Sequence, residues 1–260
     1  MSYVSCEGSS YEQYASKKAG AKEFLADLGN FLEAELPARK SVQDKVDEEV
    51  KRADKARRKN LDADQDYQSS PEGAFFKLFG IQYIHQFLVE RKGLTEGDAR
   101  TALLSESYRN HDKISSNSPR SKEKHPFTKK AGERVESIAA RWWSGNGGSP
   151  VSQSCPDLAF RTPCPHSIVI EGKYFRKGTY KAARSELVRD IYQCFYYRGL
   201  PRIPATKAYP AWDYDYACLF AYDASEEGNL KMEWGRANDE IEKGLWTGAN
   251  IYVMVVRGKN

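Results

Sequence analysis

Three residues have the types and spacing to do chemistry together: Asp157, which follows Pro156, and Glu171 and Lys173 of the triplet Glu171-Gly172-Lys173. Residues i and i+2 of a strand share a face, so Glu171 and Lys173 project together when the apolar run Ile168-Val169-Ile170 leads into a strand. Hairpin pairing brings Asp157 beside them. Two carboxylates at one point favour a hard divalent cation such as Mg2+, which takes one or two protein carboxylates and completes its shell with water and substrate phosphate. The Gly172 carbonyl is a further oxygen donor. A lysine at the same point orients or helps deprotonate an attacking water and neutralises charge building on phosphorus. The chemistry so assembled is metal-assisted hydrolysis of a phosphodiester.

The elements that must position these residues follow from the flanking pattern. Residues 158–162 and 167–175 read as a hairpin across Pro163-Cys164-Pro165-His166, and a long helix is expected over about 179–198. Residues 214–222 and 250–257 are apolar runs of strand length. Ahead of the hairpin, a helix is expected over about 127–143, with Ala131, Val135, Ile138, Ala139, Trp142 and Trp143 on its apolar side, followed by a Gly/Ser-rich stretch at 144–154. Helix, strand, strand, helix, strand, strand is the order of a mixed α/β region.

The first part of the chain reads as helical. One helix is expected over 11–36, ending at Pro37, and a highly charged segment at 41–60 reads as an exposed helix or mobile arm. A strongly apolar helix over about 72–91 opens at Pro71-Glu72 and contains His85, read as a hydrogen-bonded core histidine; a shorter helix is expected over 95–108. The polar, Ser/Lys-rich residues 110–126 mark a linker. The organisation expected is a helical N-terminal region, 1–118, for dimerisation or target recognition, and a catalytic region, 119–260.

At Asp157, Glu171 and Lys173 the chain resembles the PD-(D/E)XK nuclease superfamily, which includes many restriction endonucleases and the RecB-type nucleases. The resemblance covers about 127–223. It implies an αβββαβ restriction endonuclease-like core, a mixed central sheet flanked by helices, with Asp157 and Glu171 as metal-binding acids and Lys173 as the catalytic lysine. A further metal-binding acid would come from the helix before the sheet: Glu133 or Glu136, with Glu72 in that role if the earlier helix takes the place. Gln193 and Tyr197 have the Gln-x-x-x-Tyr spacing of RecB-like members, and i and i+4 on one helix face would let both support the site. Two departures stand out. Residues 144–154, where the first core strand belongs, offer only Val151 as a strand former. Only Cys194 and Cys218 lie late in the chain, so the iron–sulfur cluster of some RecB-like members is not expected.

Charge supports a polyanionic partner. Lys+Arg 40 against Asp+Glu 36 is nearly balanced, but between 172 and 207 nine Lys/Arg face only Glu186 and Asp190. Arg176, Lys177, Lys181, Arg184 and Arg189 follow the triplet, and phosphate contacts from them would position DNA without reading its sequence. Charged residues at 29%, a mean hydropathy of −0.72 and the lack of a long apolar run exclude a membrane-spanning chain. Five cysteines without framework spacing fit reduced thiols, and no apolar leader opens the chain, so a cytoplasmic location is expected. Cys155, Cys164 and His166 lack a fourth zinc ligand, and no phosphate-binding glycine loop or Ser/His/Asp arrangement occurs, so no nucleotide cofactor is expected on this chain. The expectation is a Mg2+-dependent DNA endonuclease, with Mn2+ able to substitute, of a type II-like restriction or phage-defence system. Cutting both strands of a duplex with one site per chain points to a homodimer. The alternatives are a RecB- or resolvase-like repair or recombination nuclease, and a non-catalytic DNA-binding module of the same fold.

Overall fold

Strands covered on both faces read as near-continuous apolar runs rather than alternating ones. Two such runs, β3 (Ile168–Phe175) and β4 (Tyr216–Asp223), form the centre of the sheet. The computed structural model describes residues 9–58, 70–105, 157–176, 180–199, 214–236 and 239–259. The sheet also holds β1 (Leu103–Ser105), β2 (Leu158–Phe160) and β5 (Ile251–Val256), in the order β1-β2-β3-β4-β5. β1, β2 and β3 pair antiparallel; β3, β4 and β5 pair parallel. The architecture is mixed α/β. Among the described residues no helix is long and apolar enough to cross a membrane.

Helices cover both faces. On one lie α1 (Ser9–Glu35), α2 (Arg39–Arg58), α3 (Pro71–Phe75), a π turn (Phe76–Gly80), α4 (Ile81–Glu90) and α5 (Glu96–Ala102). They pack Leu25, Leu28, Leu32, Phe75, Phe76 and Phe87 against Ile168, Ile170, Phe220 and Tyr222. On the other lie α6 (Tyr180–Gly199), α7 (Asn229–Gly235) and α8 (Asp239–Ala249). There Ala183, Leu187, Cys194, Tyr197 and Leu230 pack against Val169, Leu219, Ala221 and Val253. The even-numbered residues of β3 thus face the N-terminal helices and the odd-numbered ones face α6. Period-two geometry therefore aims Glu171 and Lys173 at α6 and Gly172 at α3.

Several expectations are corrected. The charged segment expected at 41–60 as an exposed helix or mobile arm is, over its described residues, a helix with one buried side: α2 buries Val42, Val46 and Ala53, and its buried Glu49 bonds Arg52 and Lys77. The expected helix at 95–108 stops at Ala102, because Leu103–Ser105 leaves it to pair with β2. Among the described residues, the strand before β2 is β1, while the first core strand expected within 144–154 falls on undescribed residues. That stretch, the helix expected at 127–143, and the 118/119 division lie outside the described residues. Residues on the two sides of that division share the larger hydrophobic cluster. α7 and α8, between β4 and β5, were not anticipated from the sequence.

Gly172 is set by close approach. A Cβ at this position would overlap the Phe76 ring, which packs edge-on against Phe220 at 5.4 Å. Overpacking of this kind costs about 1–3 kcal/mol. Gly172→Ala should lower the melting midpoint by about 5 °C, and adding Phe76→Leu should recover most of the loss. An unchanged midpoint in the single variant would show that Phe76 moves aside freely.

Candidate active site

The antiparallel register pairs Leu158 with Ile170. One step further sets Asp157 opposite Glu171 with both side chains on the α6 face. β2 does not continue the ladder there; instead the Gly172 N–H donates to Asp157 Oδ2 at 2.6 Å. The N–H and C=O of one strand residue point to the same side, so the Gly172 carbonyl faces the edge where Asp157 lies.

Glu171 has a partner on each carboxylate oxygen. Lys173 Nζ lies 2.6 Å from Oε1, and the Tyr197 hydroxyl donates to Oε2 at 2.6 Å. Tyr197 arrives from α6, whose buried positions Ala183, Leu187, Asp190, Cys194 and Tyr197 recur at helical spacing and form its sheet-facing stripe. Lys173 Nζ also lies 3.6 Å from Glu72 Oε2. Glu72 stands in the first turn of α3, which is opened by Pro71 and capped by Ser70, whose Oγ accepts from the Gly73 N–H at 2.9 Å. Three and four residues on, Phe75 stacks on Tyr222 at 4.5 Å and Phe76 packs on Phe220, so the docking of this turn fixes Glu72 beside Lys173. A cleft of about 520 Å³ opens here, with Glu72, Lys173, Arg176, Glu186, Arg189 and Asp190 as its charged lining.

The acids outnumber the charge that neutralises them. Burial, then Asp157, pushes the Glu171 carboxyl up to about 7 against the pull of Lys173 and Tyr197. Burial pushes Glu72 up to about 7 as well; Lys173 opposes this, while Glu171 and Asp190 add to it. Asp190 is raised by burial, with Lys173 and Arg189 opposing. Burial works against the Lys173 ammonium, but Glu171, Glu72 and Asp157 outweigh it and hold its pKa above the ordinary lysine value. Lys173 is therefore a permanent cation at neutral pH. Burial, with Glu171 beside it, raises the Tyr197 phenol well above its ordinary value, so it stays a donor.

Of the residues singled out from sequence, Asp157, Glu171, Gly172, Lys173 and Tyr197 come together here. Glu72, the alternative source of the upstream acid, joins them. Glu133, Glu136 and Lys177 lie outside the described residues, as does the side chain of Lys181. Gln193 does not join Tyr197: it is half-buried on the flank of the α6 stripe and makes no hydrogen bond to this cluster among the described residues. Arg176 lines the cleft but is paired with Asp47 at 2.6 Å; Arg184, exposed on α6, lies 3.8 Å from Glu233 and away from the cleft lining. Arg189 lines the cleft and bonds Glu186 and Asp190. Tyr216 stacks on Trp246, and Cys164 is a buried free thiol. Sequence reasoning counted Asp190 only as charge. Its signal was an acid interrupting an otherwise apolar helical stripe.

Among the described residues no three His, Cys, Asp or Glu side chains close into a ready-made metal cage. The donor chemistry nevertheless fits Mg2+, which needs only one or two carboxylates and keeps most of its water. Asp157, Glu171 and the Gly172 carbonyl are hard oxygen donors at neighbouring register positions.

The raised carboxyl pKa values fix the sign of a pH dependence. Glu171 keeps a proton in the fold that the unfolded chain releases near 4.5, so its contribution is full below 4.5 and lost as pH rises through about 7. The melting midpoint of the metal-free protein should fall from pH 5 to pH 7.5, and Glu171→Gln should flatten that slope. Equal slopes for wild type and variant would contradict the burial of this charge. No family model matches the chain, and no curated protein or solved structure matches it, so the site rests on its own geometry.

Proposed function

We propose that this protein is a divalent-cation-dependent nuclease that hydrolyses phosphodiester bonds in DNA. The observation that carries the reading is the placement of Lys173 Nζ, 2.6 Å from Glu171 and 3.6 Å from Glu72, with Lys173 and Glu72 lining a cleft. Among the described residues, helix, β1, β2, β3, α6 and β4 follow one another in the αβββαβ order of the restriction endonuclease-like core, with 106–156 outside them, and this supports the resemblance drawn from the sequence. Asp157, Glu171 and the Gly172 carbonyl would hold Mg2+, or Mn2+ in its place. The ion would supply charge at the scissile phosphate and acidity to the attacking water.

The side chains divide the remaining work. Lys173 is charged and therefore stabilises negative charge developing on phosphorus, rather than abstracting a proton. Tyr197 fixes the rotamer of Glu171 through its hydroxyl. Glu72 holds Lys173 from the opposite element and is the acid contributed by the helix before the sheet. Arg176 and Arg189 exchange Asp47 and Glu186, respectively, for substrate phosphates, positioning the strand without reading it. A homodimer would present two such sites to a duplex, and a cytoplasmic restriction or phage-defence role is the context we assign.

Plasmid and phage DNA incubated with Mg2+ or with EDTA test the reading. Wild type should give Mg2+-dependent discrete bands. Lys173→Ala should lose on the order of 10²–10³ in rate, and Tyr197→Phe about tenfold, the worth of one hydrogen bond to a charged group. Melting curves for each variant separate lost chemistry from lost fold. A smear or progressive shortening would move the assignment to a repair or recombination nuclease. Binding without cleavage in Mg2+ and in Mn2+ would reduce the protein to a DNA-binding module.

A further inference from the structure

Asp190 has no role in the chemistry so far. It occupies the middle of the α6 stripe, between Leu187 and Cys194, and its side chain is only 4% exposed. A carboxylate at such a position is costly unless it is paired and hydrogen-bonded, so its partners reveal what it holds. Asp190 Oδ1 accepts from Arg189 Nε at 3.1 Å, and the Lys173 ammonium is the second cation that offsets its burial. Lys173, Arg189 and Asp190 all line the same cleft.

Arg189 is held in two different ways. Its Nε meets the buried Asp190, while its terminal nitrogens meet Glu186, which is 40% exposed like much of the 61%-exposed Arg189 side chain itself. A guanidinium has five N–H donors in one plane, and fixing Nε leaves the terminal groups as a fork matched to two oxygens of a phosphate. Ion pairs between exposed side chains are weak and exchange readily. An arriving phosphate would therefore displace Glu186 and leave the Asp190 anchor in place.

We propose that Asp190 is a positioning residue for phosphate capture: its buried carboxylate anchors Arg189 by Nε, so that the terminal N–H groups and Lys173 receive a backbone phosphate in the same cleft. This rests on the reading of the cleft as a phosphodiester site. Glu186 is the placeholder that substrate displaces.

The test is a double-mutant cycle on binding of fluorescent duplex DNA in Ca2+, run beside the Mg2+ cleavage assay. Asp190→Asn and Arg189→Gln should each weaken binding roughly fivefold to tenfold and lower the salt slope by about one phosphate contact. The double variant should bind no worse than either single one. Glu186→Gln should tighten binding about twofold, an effect lost when Arg189→Gln is added, and this arm stands even if Asp190→Asn folds poorly. A purely structural Asp190 would lower the melting midpoint, leave the salt slope unchanged and multiply with Arg189→Gln, which would overturn the proposal. Coupled binding losses in a protein that never cleaves would sink the nuclease reading and keep this one. Cleavage with uncoupled losses would do the reverse, and a protein that neither binds nor cuts DNA would end both.

Discussion

The Lys173 ammonium, 2.6 Å from Glu171 and 3.6 Å from Glu72, is the charge that allows acids to be held beside the central strand β3. Buried carboxylates are tolerated only where something compensates them, and the compensation here constrains everything around it. α3 must dock with Glu72 inward, which its Phe75 and the adjoining Phe76 of the π turn enforce by packing on Tyr222 and Phe220. That docking in turn requires a residue without a Cβ at 172. On the opposite face α6 must bring Tyr197 to the second oxygen of Glu171. Each member of the triplet thus has a separate duty. Glu171 presents a carboxylate, Gly172 admits Phe76 and gives its N–H to Asp157, and Lys173 neutralises.

The compensation is incomplete, and this is what gives the site its character. Both Glu171 and Glu72 are pushed up to about 7, so at neutral pH the metal-free cluster is poised between protonated and charged forms. A fold selected for stability alone would fill these positions with apolar groups, since replacing buried ionic clusters by well-packed hydrophobes is often neutral or stabilising. Local conflicts of this kind concentrate at functional sites. The excess of acid over base around Lys173 is the electrostatic complement of an added cation.

Much of this was legible in the sequence, and the misses have physical reasons. β3 and β4 announce themselves as apolar runs, and the hairpin between Asp157 and Glu171 follows from the turn at Pro163–His166 with strands on either side. α2 hid its burial because Val42, Val46 and Ala53 are thinly spread among charges, and because Glu49 sits inside with Arg52 and Lys77. β1 hid inside a helical-looking stretch; three residues carry no periodic signal, and pairing with the distant β2 overrides local preference. Gln193 lies one turn before Tyr197 on α6, yet it is only half-buried. The stripe that faces the sheet runs through Asp190, Cys194 and Tyr197, and Gln193 falls on its flank.

The point at which Asp157 leaves the register of β2 with β3 is part of the site rather than a weakness of the sheet. β2 pairs with β3 only from Ile168 to Ile170, and the residue before Asp157 is a proline, which has no N–H to offer a ladder. Asp157 takes the Gly172 N–H that a ladder partner would have used, so this backbone donor of β3 is satisfied by a side chain. The same hydrogen bond that ends the hairpin fixes the first acid of the cluster.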